Sequence, residues 1–288
     1  MPYKFHKVYI ELTNICGLSC TFCPTKNIAS KTIDIELYKS ILNQVSKYTN
    51  DIAFHVFGDP LTLSNLESYL DIAHQYNLKV HITTTGYYLN KFDLNLFLHK
   101  AIKQINFSLN SYNKNEMNIS LEEYLKPMFE LCDLKLKNKI HNFINFRLWN
   151  LDETSSEDKF NQEVFALLSN KFNTDLSKIN YDKPFRLENQ ILINFDNYFK
   201  WPTMEDTELN NGYCHGLSSQ IAILSSGIVV PCCLDSFGVI NLGNIKKQSL
   251  SDILNSKRAV NIVNGFKNNI AHEELCKKCT YKNRFIKN

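Results

Sequence analysis

Cys16, Cys20 and Cys23 stand at CxxxCxxC spacing in the stretch Asn14-Ile15-Cys16-Gly17-Leu18-Ser19-Cys20-Thr21-Phe22-Cys23, directly after an apolar run that reads as a first strand. Two gaps of that size let three thiolates of one short loop converge on an iron-sulfur cluster, which takes four ligands, and leave one iron without a protein ligand. An open metal position implies chemistry at the metal as well as scaffolding. A structural zinc site or a disulfide are the alternatives for the same three thiols.

Nine cysteines occur in the 288 residues, gathered toward both ends with Cys132 alone in the middle. The N-terminal Met1-Pro2-Tyr3-Lys4-Phe5-His6-Lys7 lacks the apolar core of a signal peptide. No run approaches the ~18 apolar residues of a membrane helix. The expected setting is therefore cytoplasmic, away from membranes, and in a reducing compartment clustered cysteines read as metal ligands. At 44% hydrophobic and 21% charged residues the composition is that of a globular protein. A net charge of only +3 argues against a dedicated nucleic-acid surface. Lys277, Lys278, Lys282, Arg284 and Lys287 gather near the C-terminus and read as a solvated tail.

The elements that must position the loop come in alternation. Runs rich in β-formers lie near Val8 to Thr13, Ile52 to Phe57, Lys79 to Thr85, Gln104 to Asn110, Phe143 to Trp149 and Gln190 to Phe195. Segments of helical period lie between them, with Leu37, Tyr38, Ile41, Leu42 and Val45 marking one apolar face and Phe160, Val164, Leu167 and Leu168 another. Six such units imply a parallel α/β sheet. The strands' period of two puts Val8, Ile10, Leu12, Phe54, Val56, Val80, Ile82, Ile105, Phe107, Leu109, Ile144, Phe146, Leu148, Ile191, Ile193 and Phe195 on the face that meets the helices. Its opposite carries Glu11, Thr13, His55, His81, Thr83, Thr85, Asn106, Ser108, Asn110, Asn145, Arg147, Asn194 and Asp196. A closed barrel fills that space with branched apolar side chains. A polar interior, whose unpartnered groups would each cost ~1 to 3 kcal/mol, implies a splayed partial barrel around a polar occupant, with an open sheet bearing one wet face as the alternative. His55 and His81 read as core histidines in a polar network.

Beyond Trp201 the alternation stops. Gln220 to Leu224 and Ile228 to Cys232 flank Ser225-Ser226-Gly227 as a hairpin with glycine in its turn. Leu250, Ile253, Leu254 and Val260 suggest one helix that stops near Gly265. Around these lie Cys214, Cys232, Cys233 and the pair Cys276-Lys277-Lys278-Cys279.

The three-cysteine loop after a first strand resembles the radical S-adenosylmethionine superfamily. The resemblance implies a partial (β/α)6 TIM-like barrel over residues 1–200, a [4Fe-4S] cluster on Cys16, Cys20 and Cys23, and S-adenosyl-L-methionine as cofactor. Phe22, the aromatic before the last cysteine, is implied to lie against the adenine. Phe57-Gly58-Asp59-Pro60 stands where the family usually shows Gly-Gly-Glu-Pro, so Gly58 and Asp59 are expected at the methionine end, Gly58 by permitting close backbone approach. Ser108 and Asn110 match a fourth-strand serine and the polar residue after it, which contact the methionine and ribose. Thr84-Thr85-Gly86 resembles the Thr-Asn-Gly that ends strand three and brings Thr85 to the cofactor. Arg147 is expected to meet a carboxylate of cofactor or substrate, or to form a buried ion pair.

The layout C-x12-G-x4-C followed by CxxC resembles the SPASM or shorter twitch extension, which implies a small β-hairpin/helix domain over residues 201–288 and a second, fully ligated auxiliary [4Fe-4S] cluster on Cys214, Cys232, Cys276 and Cys279. Adjacent Cys232 and Cys233 leave open which of the two ligates, and Cys132 reads as a small core residue. The reaction implied is reductive cleavage of S-adenosylmethionine to a 5'-deoxyadenosyl radical that takes a hydrogen from a substrate, with a flavodoxin- or ferredoxin-type electron donor. The substrate expected is a peptide or protein side chain. A sugar or nucleotide is the alternative, and a non-catalytic iron-sulfur protein the reading from another class.

Overall fold

The computed structural model describes residues 4–24, 28–149, 155–209 and 212–285. Met1, Pro2, Tyr3 and Lys287 of the terminal readings lie outside the described residues. One sheet of ten strands organises the chain: β1 (Lys7–Ile10), β2 (Asp51–Phe54), β3 (Lys79–Thr84), β4 (Ile102–Ser108), β5 (Phe143–Trp149), β6 (Phe185–Glu188), β7 (Ile191–Asp196), β8 (Gln220–Ile223), β9 (Ile228–Val230) and β10 (Gly243–Asn244). Its order is β10-β9-β8-β1-β2-β3-β4-β5-β7-β6. The six expected strands are β1, β2, β3, β4, β5 and β7, and each pairs in parallel with the next.

Helices α1 (Ile35–Val45), α2 (Leu66–Gln75), α3 (Asn110–Asn113), α4 (Leu121–Lys137) and α5 (Ser155–Phe172) accompany the barrel strands, and α6 (Leu250–Leu254), α7 (Lys257–Lys267) and α8 (Glu274–Lys278) follow them. The first begins where Asp34 accepts a hydrogen bond from the Leu37 amide at 2.8 Å, and it buries Leu37, Tyr38, Ile41, Leu42 and Val45. Nearly all the apolar strand residues join these helices in one core. Val56 does not. It lies past the end of β2 and packs with Phe57, Ala222, Leu224 and Val230 in a separate cluster under the C-terminal hairpin.

Three other expectations change. The β3 to β4 connection contains 3-10 turns, Leu89–Lys91 and Leu94–Leu98, in place of an α-helix. There the Asp93 carboxylate caps the second turn, accepting from the Asn95 amide at 2.9 Å. The single helix expected near residues 250–265 is two, because the Ser256 hydroxyl caps the amide of Ala259 and starts α7 afresh. Val260 is exposed, and Gly265 sits inside α7, where a β-carbon would stand 2.4 Å from the His272 ring. The basic C-terminal cluster is not a solvated tail. Lys282 is 2% exposed, and its ammonium donates to the carbonyls of Leu209, Cys276 and Lys277 at 2.7 Å each. Arg284 holds Asp196 at 2.6 Å, and Lys277 pairs with Glu274.

The expected division at residues 200 and 201 falls in the connection from β7 to β8. Past it, β8 pairs in parallel with β1 over four residues and turns back through Gly227, at φ +87°, into antiparallel β9. Glu11, at the end of β1, accepts from the amide and hydroxyl of Ser225 in that turn at 3.0 and 2.8 Å. The barrel's first strand and the C-terminal hairpin are thus one piece of sheet.

Candidate active site between two cysteine sets

The three-cysteine loop is held from both sides. Asn14 accepts from the Lys31 amide at 2.7 Å and donates to the Ala29 carbonyl at 2.9 Å, which pins its start to the returning chain. Gly17 takes φ +75°, and a β-carbon there would lie 1.8 Å from the Tyr88 hydroxyl oxygen. The Cys23 amide donates to the Cys20 carbonyl at 3.0 Å, a turn that brings the last two thiols together. From the far side, Asn115 accepts from the Ser19 amide at 2.9 Å and donates to the Cys20 sulfur at 2.9 Å. Hydrogen bonds from Cys23, then Asn115 and Ser111, lower the Cys20 thiol to about 6.

Cys16, Cys20 and Cys23 share one cavity with all seven residues expected at the cofactor: Phe22, Gly58, Asp59, Thr85, Ser108, Asn110 and Arg147. Within that cavity the expected roles divide. Phe22 meets Trp149 edge to face at 4.4 Å, and Trp149 meets Tyr198 at 5.2 Å, an aromatic wall suited to a flat base. Gly58 does permit a close backbone approach, and the backbone that approaches is the cluster loop's own: a β-carbon would stand 2.1 Å from the Thr13 carbonyl oxygen. Asp59 is buried with its carboxylate taken up. One oxygen accepts from the Leu61 amide at 2.9 Å, and the other from the Thr84 hydroxyl, the Thr85 amide and the Thr85 hydroxyl at 2.9, 2.8 and 2.8 Å. Burial raises its pKa against these donors. Asn110 donates to Glu157 at 2.6 Å and accepts from the Trp149 amide at 2.9 Å, so its side chain ties the aromatic wall to α5. Ser108 stays partly exposed on the cavity wall, with its hydroxyl at the end of β4.

A second cavity, about 430 Å3, lies inside the barrel and reaches Cys214, Cys232, Cys233, Cys276 and Cys279. Both cavities are bordered by His55, Thr83, Arg147, Asp196, Phe199 and Trp201, which form the neck between them. Part of the polar lumen satisfies itself. Gln104 donates to Asn106 at 2.7 Å, Asn145 donates to the same Asn106 oxygen at 3.1 Å, and His81 Nε2 lies 2.8 Å from Asp51. His81 is thus the networked histidine expected. The His55 ring has Tyr9 at 6.3 Å and faces the neck.

Of the adjacent pair, Cys232 feels the charge of Cys214, Cys276 and Cys279 as well as that of Cys233, and burial first, then these neighbours, raise its pKa. Cys233 instead takes a hydrogen bond from Tyr9 and feels Lys7 and Arg147, with burial pushing its thiol up to about 11. Cys132 is fully buried within the helical layer.

Among the described residues, no three Cys, His, Asp or Glu side chains converge tightly enough to hold a metal ion. The donors nonetheless suit clusters. Cys20 is surrounded by groups that stabilise a thiolate, and the four half-buried C-terminal thiols all have raised pKa values, so that a cationic iron centre would relieve what desolvation and the charge of neighbouring thiolates oppose. Trp149, Tyr198, Phe199, Trp201 and Asn115 were missed as site residues. Only Trp149, ending a strand whose inner face is polar, carried a usable signal.

Comparison with known proteins places these features. Residues 10–155 match the Radical SAM superfamily, and residues 214–280 match SPASM, an iron-sulfur cluster-binding domain. A curated relative, the S-adenosyl-L-methionine-dependent 2-deoxy-scyllo-inosamine dehydrogenase of Niallia circulans, is 28% identical over 81 residues, which span 26% of this chain and 32% of that protein. BtrN in complex with AdoMet and 2-DOIA superposes with TM-score 0.62 at 17% identity, covering 97% of this chain and 94% of that one. SuiB of Streptococcus suis bound to S-adenosylmethionine gives TM-score 0.62 at 15% identity over 99% of this chain and 74% of that one. His6-tagged anSMEcpe with bound AdoMet gives TM-score 0.61 at 15% identity over 96% of this chain and 84% of that one.

Proposed function

The chain belongs to the radical SAM superfamily, and from that membership we propose an enzyme that takes S-adenosylmethionine into the cavity beside Cys16, Cys20 and Cys23 and a small polar substrate into the larger cavity beyond the neck. The observation that carries this reading is the shared border of the two cavities at His55, Thr83, Arg147, Asp196, Phe199 and Trp201. Cys16, Cys20 and Cys23 would hold the [4Fe-4S] cluster, which when reduced would supply the one electron for cleavage of S-adenosylmethionine to methionine and the 5'-deoxyadenosyl radical that takes a hydrogen atom from the substrate.

The chain's own residues hold and shield. Phe22 and Trp149 wall the adenine. The Gly58-Asp59 backbone and the Ser108 hydroxyl serve the methionine end, while the Asp59 side chain positions the turn after β2 against Thr84 and Thr85. Asn110 keeps Trp149 in place. Phe199 and Trp201 narrow the neck and keep water from it. Residues 1–200 act as the barrel and 201–288 as the auxiliary region, where Cys214, Cys232, Cys276 and Cys279 hold the second [4Fe-4S] cluster. A flavodoxin- or ferredoxin-type donor in a reducing cytoplasm completes the scheme.

The cavity of about 430 Å3 includes the end where the cluster on Cys214, Cys232, Cys276 and Cys279 would sit, and the space left beside the neck suits a small metabolite rather than a length of peptide. The name of the Niallia circulans relative points the same way. Anoxic reconstitution tests the proposal: about eight irons per chain are expected for two such clusters, and dithionite should release 5'-deoxyadenosine. Intact, reduced protein that binds S-adenosylmethionine without cleaving it would leave the non-catalytic reading.

A further inference from the structure

The larger cavity carries positive charge that its own walls do not match. Lys7 on β1 and Arg147 on β5 both line it. Among the described residues the Lys7 ammonium makes no ion pair. The carboxylate whose charge it feels, Asp51, already accepts from Lys103 at 2.7 Å and lies 2.8 Å from His81 Nε2. Arg147 reaches Asp196 only at 4.0 Å, while Arg284 holds that carboxylate at 2.6 Å. The remaining acid on the wall, Asp235, accepts from the backbone amides of Val239 and Ile240 at 2.8 Å each. Each carboxylate facing the lumen therefore has other partners; the thiolate cluster on Cys214, Cys232, Cys276 and Cys279 would add negative charge at the end where Lys282 sits, and Lys7 and Arg147 are left facing the shared space beyond it.

These cations are distinct from the one beside the auxiliary thiols. Lys282 serves that end: its charge acts on Cys214, Cys276 and Cys279, and its hydrogen bonds go to three carbonyls. Lys7 and Arg147 act on Cys233 and on His55, farther along the barrel. His55 and His81 register the same field. Burial first, then Arg147 and Lys7 at His55 and Lys7 at His81, press both rings down to about 4, so neither imidazole adds a compensating or competing charge near neutral pH.

We infer that the substrate of this chamber is an anion, a small hydroxylated molecule whose carboxylate or phosphate group is held between Lys7 and Arg147. The side chains of Thr83, Gln104 and Asn194 on the same wall meet its hydroxyls. A fork of guanidinium donors with a second point charge suits either anion. An amine-bearing substrate, cationic at neutral pH, is repelled by the same pair. This inference rests on the reading of the larger cavity as the substrate chamber.

Calorimetric titration of the reconstituted holoprotein carrying S-adenosylmethionine tests it, with gluconate, glucose 6-phosphate and glucosamine as probes on one carbon skeleton. At least one anion should bind saturably and about tenfold or more tighter than glucosamine, since a hydrogen bond to a charged group is worth ~1.5 to 3 kcal/mol. The preference between gluconate and glucose 6-phosphate assigns carboxylate or phosphate. Lys7→Met should weaken anion binding about tenfold, and Lys7→Arg should restore most of it. Glucosamine binding as tightly as the anions, no saturable anion binding, or equal anion binding by Lys7→Met would each overturn the inference. Release of 5'-deoxyadenosine by the wild-type protein without probe is scored separately, so the radical reading and the anion reading fail independently.

Discussion

Gly58 and Thr13 are in backbone contact across the start of the candidate cofactor cavity: a β-carbon on Gly58 would stand 2.1 Å from the Thr13 carbonyl oxygen and 2.8 Å from that of Ile15. The Asp59 amide also donates to the Ile15 carbonyl at 2.9 Å. The turn after β2 and the cysteine loop after β1 are therefore a single fixture, and the loop's position depends on a residue 42 positions beyond Cys16.

Gly58→Ala should accordingly destabilise the iron-free protein by about 2 kcal/mol, the middle of the ~1 to 3 kcal/mol that overpacking costs, as read from the urea midpoint. Iron loss confined to the loop site should accompany it. An unchanged midpoint and full iron content would show that the two backbones are not in contact.

The tandem cysteines separate by environment. Cys232→Ala should reduce reconstituted iron from about eight to about four per chain, whereas Cys233→Ala should keep about eight, because Cys233 faces Tyr9, Lys7 and Arg147. The reverse result would put Cys233 in the ligand set.

Acid should destabilise the fold through two rings. His55 and His81 lie at about 4 in the folded protein, below the ordinary value of 6.5. Between these values the unfolded chain takes up protons that the folded chain refuses, so stability falls as pH drops from about 6.5 to about 4. Nuclear magnetic resonance titration should find both rings neutral at pH 5.5, with Lys7→Met moving both titrations upward. Rings titrating near 6.5 would contradict both the burial and the positive field ascribed to the lumen.

Lys282→Met removes three charge-assisted hydrogen bonds from a residue 2% exposed. A loss of at least about 2 kcal/mol is expected from the carbonyls left without their donor. Limited proteolysis should then cut near α8 first. A surface-like effect below about 0.5 kcal/mol would contradict the buried clasp.

Periodicity made the barrel legible. Six parallel strands, the helix faces on α1 and α5 and the polar interior all follow from side chains alternating with period two or recurring with period 3.6. What it could not show was the fate of individual polar atoms. Asp59 and Asn110 stand where a cofactor-binding motif would put them, yet their oxygens and amide are spent on Thr84, Thr85, Trp149 and Glu157, partners up to 47 residues away. The basic C-terminal residues misled for the same reason, since of the three carbonyls that draw in Lys282 two belong to α8 and the third, that of Leu209, is 73 residues away. Pairing of β8 with β1 was equally hidden, because a four-residue strand carries no mark of its neighbour.

The most direct test of the open metal position is electron paramagnetic resonance of a Cys214→Ala/Cys276→Ala variant, reconstituted anoxically, reduced with dithionite and titrated with S-adenosylmethionine. One cluster of about four irons should remain, and its signal should shift as the cofactor occupies the iron that Cys16, Cys20 and Cys23 leave free. A spectrum unchanged by saturating cofactor, or zinc in place of iron on those three sulfurs, would contradict the proposed chemistry.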